Sequence, residues 1–188
     1  MSDVKDEIDF EFVGKDLATG QTNIYWEALP YYGNSGNITD ITDTFDNWHT
    51  YTVDWQPDQM TWAVDGVVKR TKTRASTWNA TSGLYNYPQT PSRIQLSVWP
   101  GGASSQAPGT IAWAGGAINW SSTDIQQSGY YYAQVQQIVV QCSPPPAGTP
   151  KDGAGTVSYM YSNTTTTFLN NSVIRMALIS ASTDNSLG

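Results

Sequence analysis

The stretch Asp6-Glu7-Ile8-Asp9-Phe10-Glu11-Phe12 alternates with the period of an extended strand, so Glu7, Asp9 and Glu11 share one face and Ile8, Phe10 and Phe12 the other. The apolar face is suited to a core. The acidic face gathers like charges that raise at least one pKa, which marks it as a candidate working site; the wet side of an amphipathic strand is the plainer reading. At roughly 3.3 Å per residue the α-carbons of Glu7 and Glu11 lie about 13 Å apart, and side chains leaning together bring the carboxyls to about 5 to 5.5 Å. That separation suits cleavage of a glycosidic bond with retention of configuration.

Working outward, the region from Gly14 to Gly20 reads as a turn and Thr22-Asn23-Ile24-Tyr25-Trp26-Glu27 as a second strand. A Gly/Asn-rich loop from Tyr32 to Asn37 leads to a strand over Trp48 to Trp55, which turns at Pro57-Asp58. Thr61-Trp62-Ala63-Val64, Asp65-Gly66 and Val67-Val68-Lys69-Arg70 then spell a hairpin around an Asp-Gly turn, so an antiparallel sheet is expected. After a polar loop from Lys72 to Pro91, the alternation in Arg93 to Trp99 predicts a strand with Ile94, Leu96 and Val98 toward the core. Arg93, Gln95, Ser97 and Trp99 then share the open face. The Gly/Ala/Ser-rich stretch that follows reads as a rim loop, and Tyr131 to Gln141 as a last strand buried on both faces. Ser143 to Gly155 is a Pro/Gly linker, followed by a low-complexity tail with one strand or helix expected at Val173 to Ile179.

Composition narrows the partners. The 188 residues are 39% hydrophobic, enough for one core, and 8 Trp with 11 Tyr favour strands and carbohydrate-stacking surfaces. With 9 Lys and Arg against 16 Asp and Glu, the net charge of -7 disfavours nucleic acid and anionic membranes. His49 is the single histidine, so no metal site and no cofactor are expected, and a packed or hydrogen-bonded imidazole is. Asn-X-Ser/Thr acceptors at Asn37, Asn79, Asn119, Asn163 and Asn170 point to a secreted glycoprotein, in which the lone Cys142 suggests a missing partner, an ordinary buried thiol being the plainer reading. The first residues lack the apolar segment of a signal peptide, so N-terminal truncation is the expectation.

Asp6-Glu7-Ile8-Asp9-Phe10-Glu11-Phe12-Val13-Gly14 resembles the signature of glycoside hydrolase family 16, and in particular the fungal Crh type of cell-wall transglycosylase. Further pieces stand in family order: Gln21-Thr22-Asn23, Trp48 to Trp55, Tyr87-Pro88-Gln89-Thr90-Pro91, Trp99-Pro100-Gly101-Gly102 and Gly109 to Gly116. The resemblance spans residues 3 to 142. It implies that Glu7 is the nucleophile, Asp9 its assistant and Glu11 the acid/base. Trp99 and Trp113 are placed along the acceptor cleft, with core packing the plainer alternative; Asn23 and Tyr25 are candidates for the donor side, and Arg93 and Gln95 for the same open face.

The implied fold is an all-β, antiparallel two-sheet jelly-roll sandwich of the concanavalin A-like kind, incomplete at its N-terminus because family members carry further strands before the signature. The implied organisation is a catalytic domain over residues 1–142 and a linker and tail over residues 143–188. The implied activity is transfer of chitin chains to β-glucan by a monomeric extracellular protein of the fungal cell wall, with a lipid anchor only in a longer form. A β-glucan hydrolase and a non-catalytic carbohydrate-binding or structural wall glycoprotein are the alternatives.

Overall fold

The computed structural model describes residues 1–142 and, beyond them, the backbone of residues 151–152, 158–161 and 174–177. In chain order the strands are β1 (Glu7–Glu11), β2 (Gly20–Tyr25), β3 (Gly36–Ile38), β4 (Tyr51–Trp55), β5 (Gln59–Val64), β6 (Val67–Thr73), β7 (Trp78–Asn79) and β8 (Leu84–Tyr85). Two short helices follow, α1 (Pro108–Ala114) and α2 (Thr123–Ser128), and then β9 (Lys151–Asp152), β10 (Ser158–Tyr161) and β11 (Ile174–Ala177). The chain divides into two compact units, Met1–Gln134 and Val135–Gly188. In the second, β11 pairs antiparallel with β10 and parallel with β9. Strand β11 falls where a strand or helix is expected; most of the predicted linker lies outside the described residues.

The first unit contains two antiparallel three-stranded sheets, β1-β2-β3 and β4-β5-β6. Both central residues of the Asp65-Gly66 turn have positive φ, 51° and 78°, as a two-residue type I′ hairpin requires. Even-numbered side chains of β1 and β2 supply one wall of the core. Ile24, Met60, Trp62 and Tyr87 form a buried cluster against which Ile8, Phe10 and Trp55 pack. Ile38, Ile41 and Val64 close a second cluster on Phe10. Phe12 stands at the margin, partly exposed, its ring 4.8 Å from that of Tyr51. The Arg70 guanidinium covers Trp62 at 4.7 Å and donates to the Thr22 carbonyl at 2.9 Å, tying β6 to β2 across the sandwich. With the even positions committed to the core, the odd positions of β1 and β2 face away from it.

Four expectations need correction. The protein is not strictly all-β: residues read as a rim loop form α1, which starts with Pro108 in its first turn and stops at Gly115, whose φ is 104°. Those residues are helix start and stop signals that the small-residue composition masked. The segment Arg93 to Trp99 is not a strand, and Ile94, Leu96 and Val98 are exposed. Alternation shows which side chains would share a face if the segment were paired. Among the described residues its backbone hydrogen bonds to another segment are those between Arg93 and Met1, beside the Ser2–Ser92 bridge that precedes it. Tyr131 to Gln141 likewise forms no strand, with Val135, Ile138, Val139 and Val140 exposed. Finally, the predicted loop from Tyr32 to Asn37 contains a 3-10 turn at Tyr32–Asn34 and enters β3, which completes the edge of the first sheet.

Candidate active site

Strand β1 places Glu7, Asp9 and Glu11 on the face opposite the core, and its register with β2 sets Tyr25 beside Glu7, Asn23 beside Asp9 and Gln21 beside Glu11. All six are half-buried, open enough to meet a ligand yet poorly hydrated. Burial is the largest cause pushing the Asp9 carboxyl up to about 8, followed by its hydrogen bond with Glu7 and the negative charges of Glu7 and Glu11. At neutral pH Asp9 therefore holds a proton that it shares with Glu7. Burial and the Glu7 charge also raise Glu11 above the usual carboxylate range, which suits a group that must deliver a proton. The Tyr25 hydroxyl is held protonated by burial and by the charges of Asp9 and Glu7, against an opposing hydrogen bond with Asn23.

The strand bearing these groups is fixed from behind. Trp62 of the opposite sheet donates its indole N–H to the Asp9 carbonyl at 3.0 Å. Asp6, completely buried, accepts from Glu27 N at 3.0 Å, Gln89 N at 2.9 Å, Thr90 N at 3.1 Å and the Thr90 hydroxyl at 2.7 Å. Its carboxylate thus pins the start of β1 to the turn after β2 and to the loop before Ser92. Sequence reading gave Asp6 no role. Its even parity, placing an acid on the apolar face, is the signal that could have found it.

Trp99 and Trp113 come together at the Glu11 end of this face. Their rings stack 5.5 Å apart with a 19° interplanar angle, and Trp113 donates to the Gln21 side-chain oxygen at 3.0 Å. Trp113 rides on α1, whose C-terminal end is tied down by Lys15 Nζ donating to the Ala112 carbonyl at 3.1 Å. Trp99 leads into Gly101-Gly102, where the chain passes so close to the end of α1 that a Cβ on Gly102 would lie 2.3 Å from the Gly116 carbonyl oxygen. Gln21, quoted from the sequence only as part of a motif, is the residue that joins the carboxylate row to this aromatic pair.

Arg93 and Gln95 are not brought to the site. Arg93 pairs with Asp3 at 2.5 Å, both side chains well exposed, and Gln95 lies exposed in the same unpaired segment. His49 is bound between the Asp65 carboxylate at 2.8 Å and the Thr42 carbonyl at 3.0 Å, a clamp on the β5–β6 turn. Among the described residues no group of His, Cys, Asp and Glu is arranged to hold a metal ion.

Residues 1–115 match the pattern of Glycosyl hydrolases family 16. The chain is 54% identical over 158 residues to Congo red hypersensitive protein 2 of Saccharomyces cerevisiae, covering 84% of this chain and 33% of that protein. It is 55% identical over 162 residues to Crh-like protein 2 of Aspergillus fumigatus, covering 86% and 36%. The chain therefore spans about a third of the length of these curated relatives. Among solved structures, a Crh5 transglycosylase in complex with NAG is similar at a TM-score of 0.58 and 38% identity, over 64% of this chain and 48% of that one. A carboxylate row backed by a sandwich core and a match over most of the described residues lead to one assignment: the chain belongs to glycosyl hydrolase family 16.

Proposed function

We propose that this chain carries the catalytic face of a retaining glycosidase/transglycosylase that cleaves chitin or β-glucan of the fungal cell wall and passes the released chain to a glucan acceptor. The observation that carries this reading is the placement of Glu7 and Glu11 on one face of one strand, with the half-buried Asp9, whose pKa burial raises, between them. Glu7 attacks the anomeric carbon, the bond from that carbon to the glycosidic oxygen breaks, and the Glu11 proton goes to the leaving oxygen. Asp9 steadies the Glu7 carboxylate by donating to it.

Esterification removes the Glu7 charge and with it one of the causes that hold Glu11 high. Glu11 thereby turns from acid into base. It takes the proton of an incoming hydroxyl, whose oxygen displaces Glu7 from the anomeric carbon and restores the original configuration. Water and a sugar hydroxyl compete for this step, and the Trp99–Trp113 pair beside Glu11 favours the sugar by offering it a stacking surface. Asn23 and Tyr25, next to Asp9 and Glu7, are assigned to the donor side. Chitin as donor and transfer over hydrolysis are supported by the similarity to a transglycosylase bound to NAG and to the Crh-like proteins. The same similarity supports a jelly-roll connection of the two sheets, a catalytic region over residues 1–142 with linker and tail beyond it, and a place outside the cell; action as a monomer is part of the same proposal.

Incubation with a chitin donor and a fluorescent glucan oligosaccharide tests the reading: transfer moves label into high-mass polymer. Label that stays small while reducing ends accumulate identifies a β-glucan hydrolase instead. Glu7→Gln is expected to abolish the covalent intermediate, whereas Glu11→Gln spares the first step for a donor with a good leaving group and blocks release by water. Full activity of Glu7→Gln removes the assigned nucleophile.

A further inference from the structure

An indole N–H only donates, so the Trp113 contact fixes Gln21 with its carbonyl oxygen toward the ring and leaves its amide N–H groups for other partners. Gln21 is at the same time the strand neighbour of Glu11. Trp113 has one ring face against Trp99, and Trp99 is the more exposed of the two, with 44% of its surface open. Trp113 is thus placed as a backing plate, and Trp99 presents the outer face. The Lys15 bond to α1 and the tight passage at Gly102 hold the two parent segments, but among the described residues only Gln21 links the aromatic pair to the catalytic sheet by a directed bond.

We propose that Gln21 is a positioning residue for the acceptor: by holding Trp113 it fixes the Trp99 ring as the platform for the incoming sugar beside Glu11. Resting on the reaction proposed above for the identity of its ligand, this assigns Trp113 a supporting role and gives Trp99 the sugar contact. A ring free to tilt offers water more access to the glycosyl-enzyme, so loosening it lowers transfer relative to hydrolysis.

The test compares the parent protein with Gln21→Leu, Trp113→Phe, their double variant and Gln21→Glu. Loss of one hydrogen bond is expected to lower the transfer-to-hydrolysis ratio roughly five- to tenfold in Gln21→Leu, with acceptor KM rising more than kcat falls. Trp113→Phe keeps an aromatic ring but lacks the donor, so it is expected to lower the ratio as Gln21→Leu does, and the double variant is expected to be no worse than Trp113→Phe. Gln21→Glu keeps an acceptor oxygen and is expected to recover acceptor KM, while its charge moves the Glu11 limb of the pH profile upward. A Gln21→Leu variant with unchanged partitioning, or losses that multiply in the double variant, overturns the inference. Binding of a glucan oligosaccharide to the same set in a Glu7→Gln background, read by calorimetry, needs no turnover. Weaker binding by Gln21→Leu, Trp113→Phe and their double variant, with Gln21→Glu like the parent, supports the role even where the parent shows no transfer, and equal binding by all, or none by the parent, overturns it.

Discussion

Replacing Asp9 by Asn is expected to make the protein more stable and less active. The folded state raises Asp9 from its ordinary 3.8 to about 8, so between these values the native protein holds a proton that the unfolded chain has released. Stability therefore falls as pH rises through this window, and is unaffected by Asp9 below about pH 3.8. Carried to pH 7, a span of about 3 pH units corresponds to about 4 kcal/mol, which screening of this half-buried group by water reduces to about 1–2 kcal/mol. Asn stays neutral at every pH and still offers an N–H to Glu7. The variant is thus expected to exceed the parent by about 1–2 kcal/mol at pH 7, or about 3 to 6 °C in melting temperature, with the gap closing toward pH 4. Thermal unfolding followed by tryptophan fluorescence at pH 4, 6 and 8 reads this directly. Activity is expected to fall, because Asn cannot adjust its proton as the Glu7 charge appears and disappears. Parallel stability profiles for parent and variant would refute the protonated Asp9 and with it the shared-proton account of the site.

Asp6→Asn turns an acceptor of four donors into a group that presents its own N–H to them. A loss of about 3 kcal/mol is expected, seen as a lower urea midpoint, and a midpoint equal to the parent's would show the buried carboxylate to be dispensable. Asp65 has the opposite sign to Asp9, because the Thr50 backbone N–H and then His49 depress its pKa. Its contribution is present above the ordinary carboxylate value and is lost as pH falls through the depressed one. Asp65→Asn is therefore expected to melt below the parent at pH 6 and to converge with it as pH falls through the depressed value, and a gap that does not close on acidification would contradict this.

Strand periodicity made the carboxylate face legible because parity is a local property: once Ile8 and Phe10 enter the core, Glu7, Asp9 and Glu11 must leave it. The Asp65-Gly66 hairpin was legible for the same reason, since two consecutive positive φ angles are a demand of the turn itself. What failed were statements that needed a neighbour. Ile94, Leu96 and Val98 alternate as a strand does, yet alternation supplies no hydrogen-bond partner, and Arg93 pairs with the exposed carboxylate of Asp3. The link between Gln21 and Trp113 spans 92 positions and crosses from a strand to a helix that the sequence disguised as a loop.

The same distinction bears on how the site divides its work. In the proposed reaction the parts that break and make bonds sit on a single strand, where spacing alone fixes their order: Glu7, then Asp9, then Glu11. Their mutual repulsion is local, and so is the pKa ladder that lets one acid hold a proton while its neighbour gives one up. Selection of the acceptor has no such local source. In the proposed arrangement it depends on a loop and a helix meeting the face of the sheet at the start of β2 through one indole hydrogen bond, a contact that lies off β1. If the proposed reaction holds, partition between sugar and water is accordingly the property of this fold expected to change most by single substitutions away from β1.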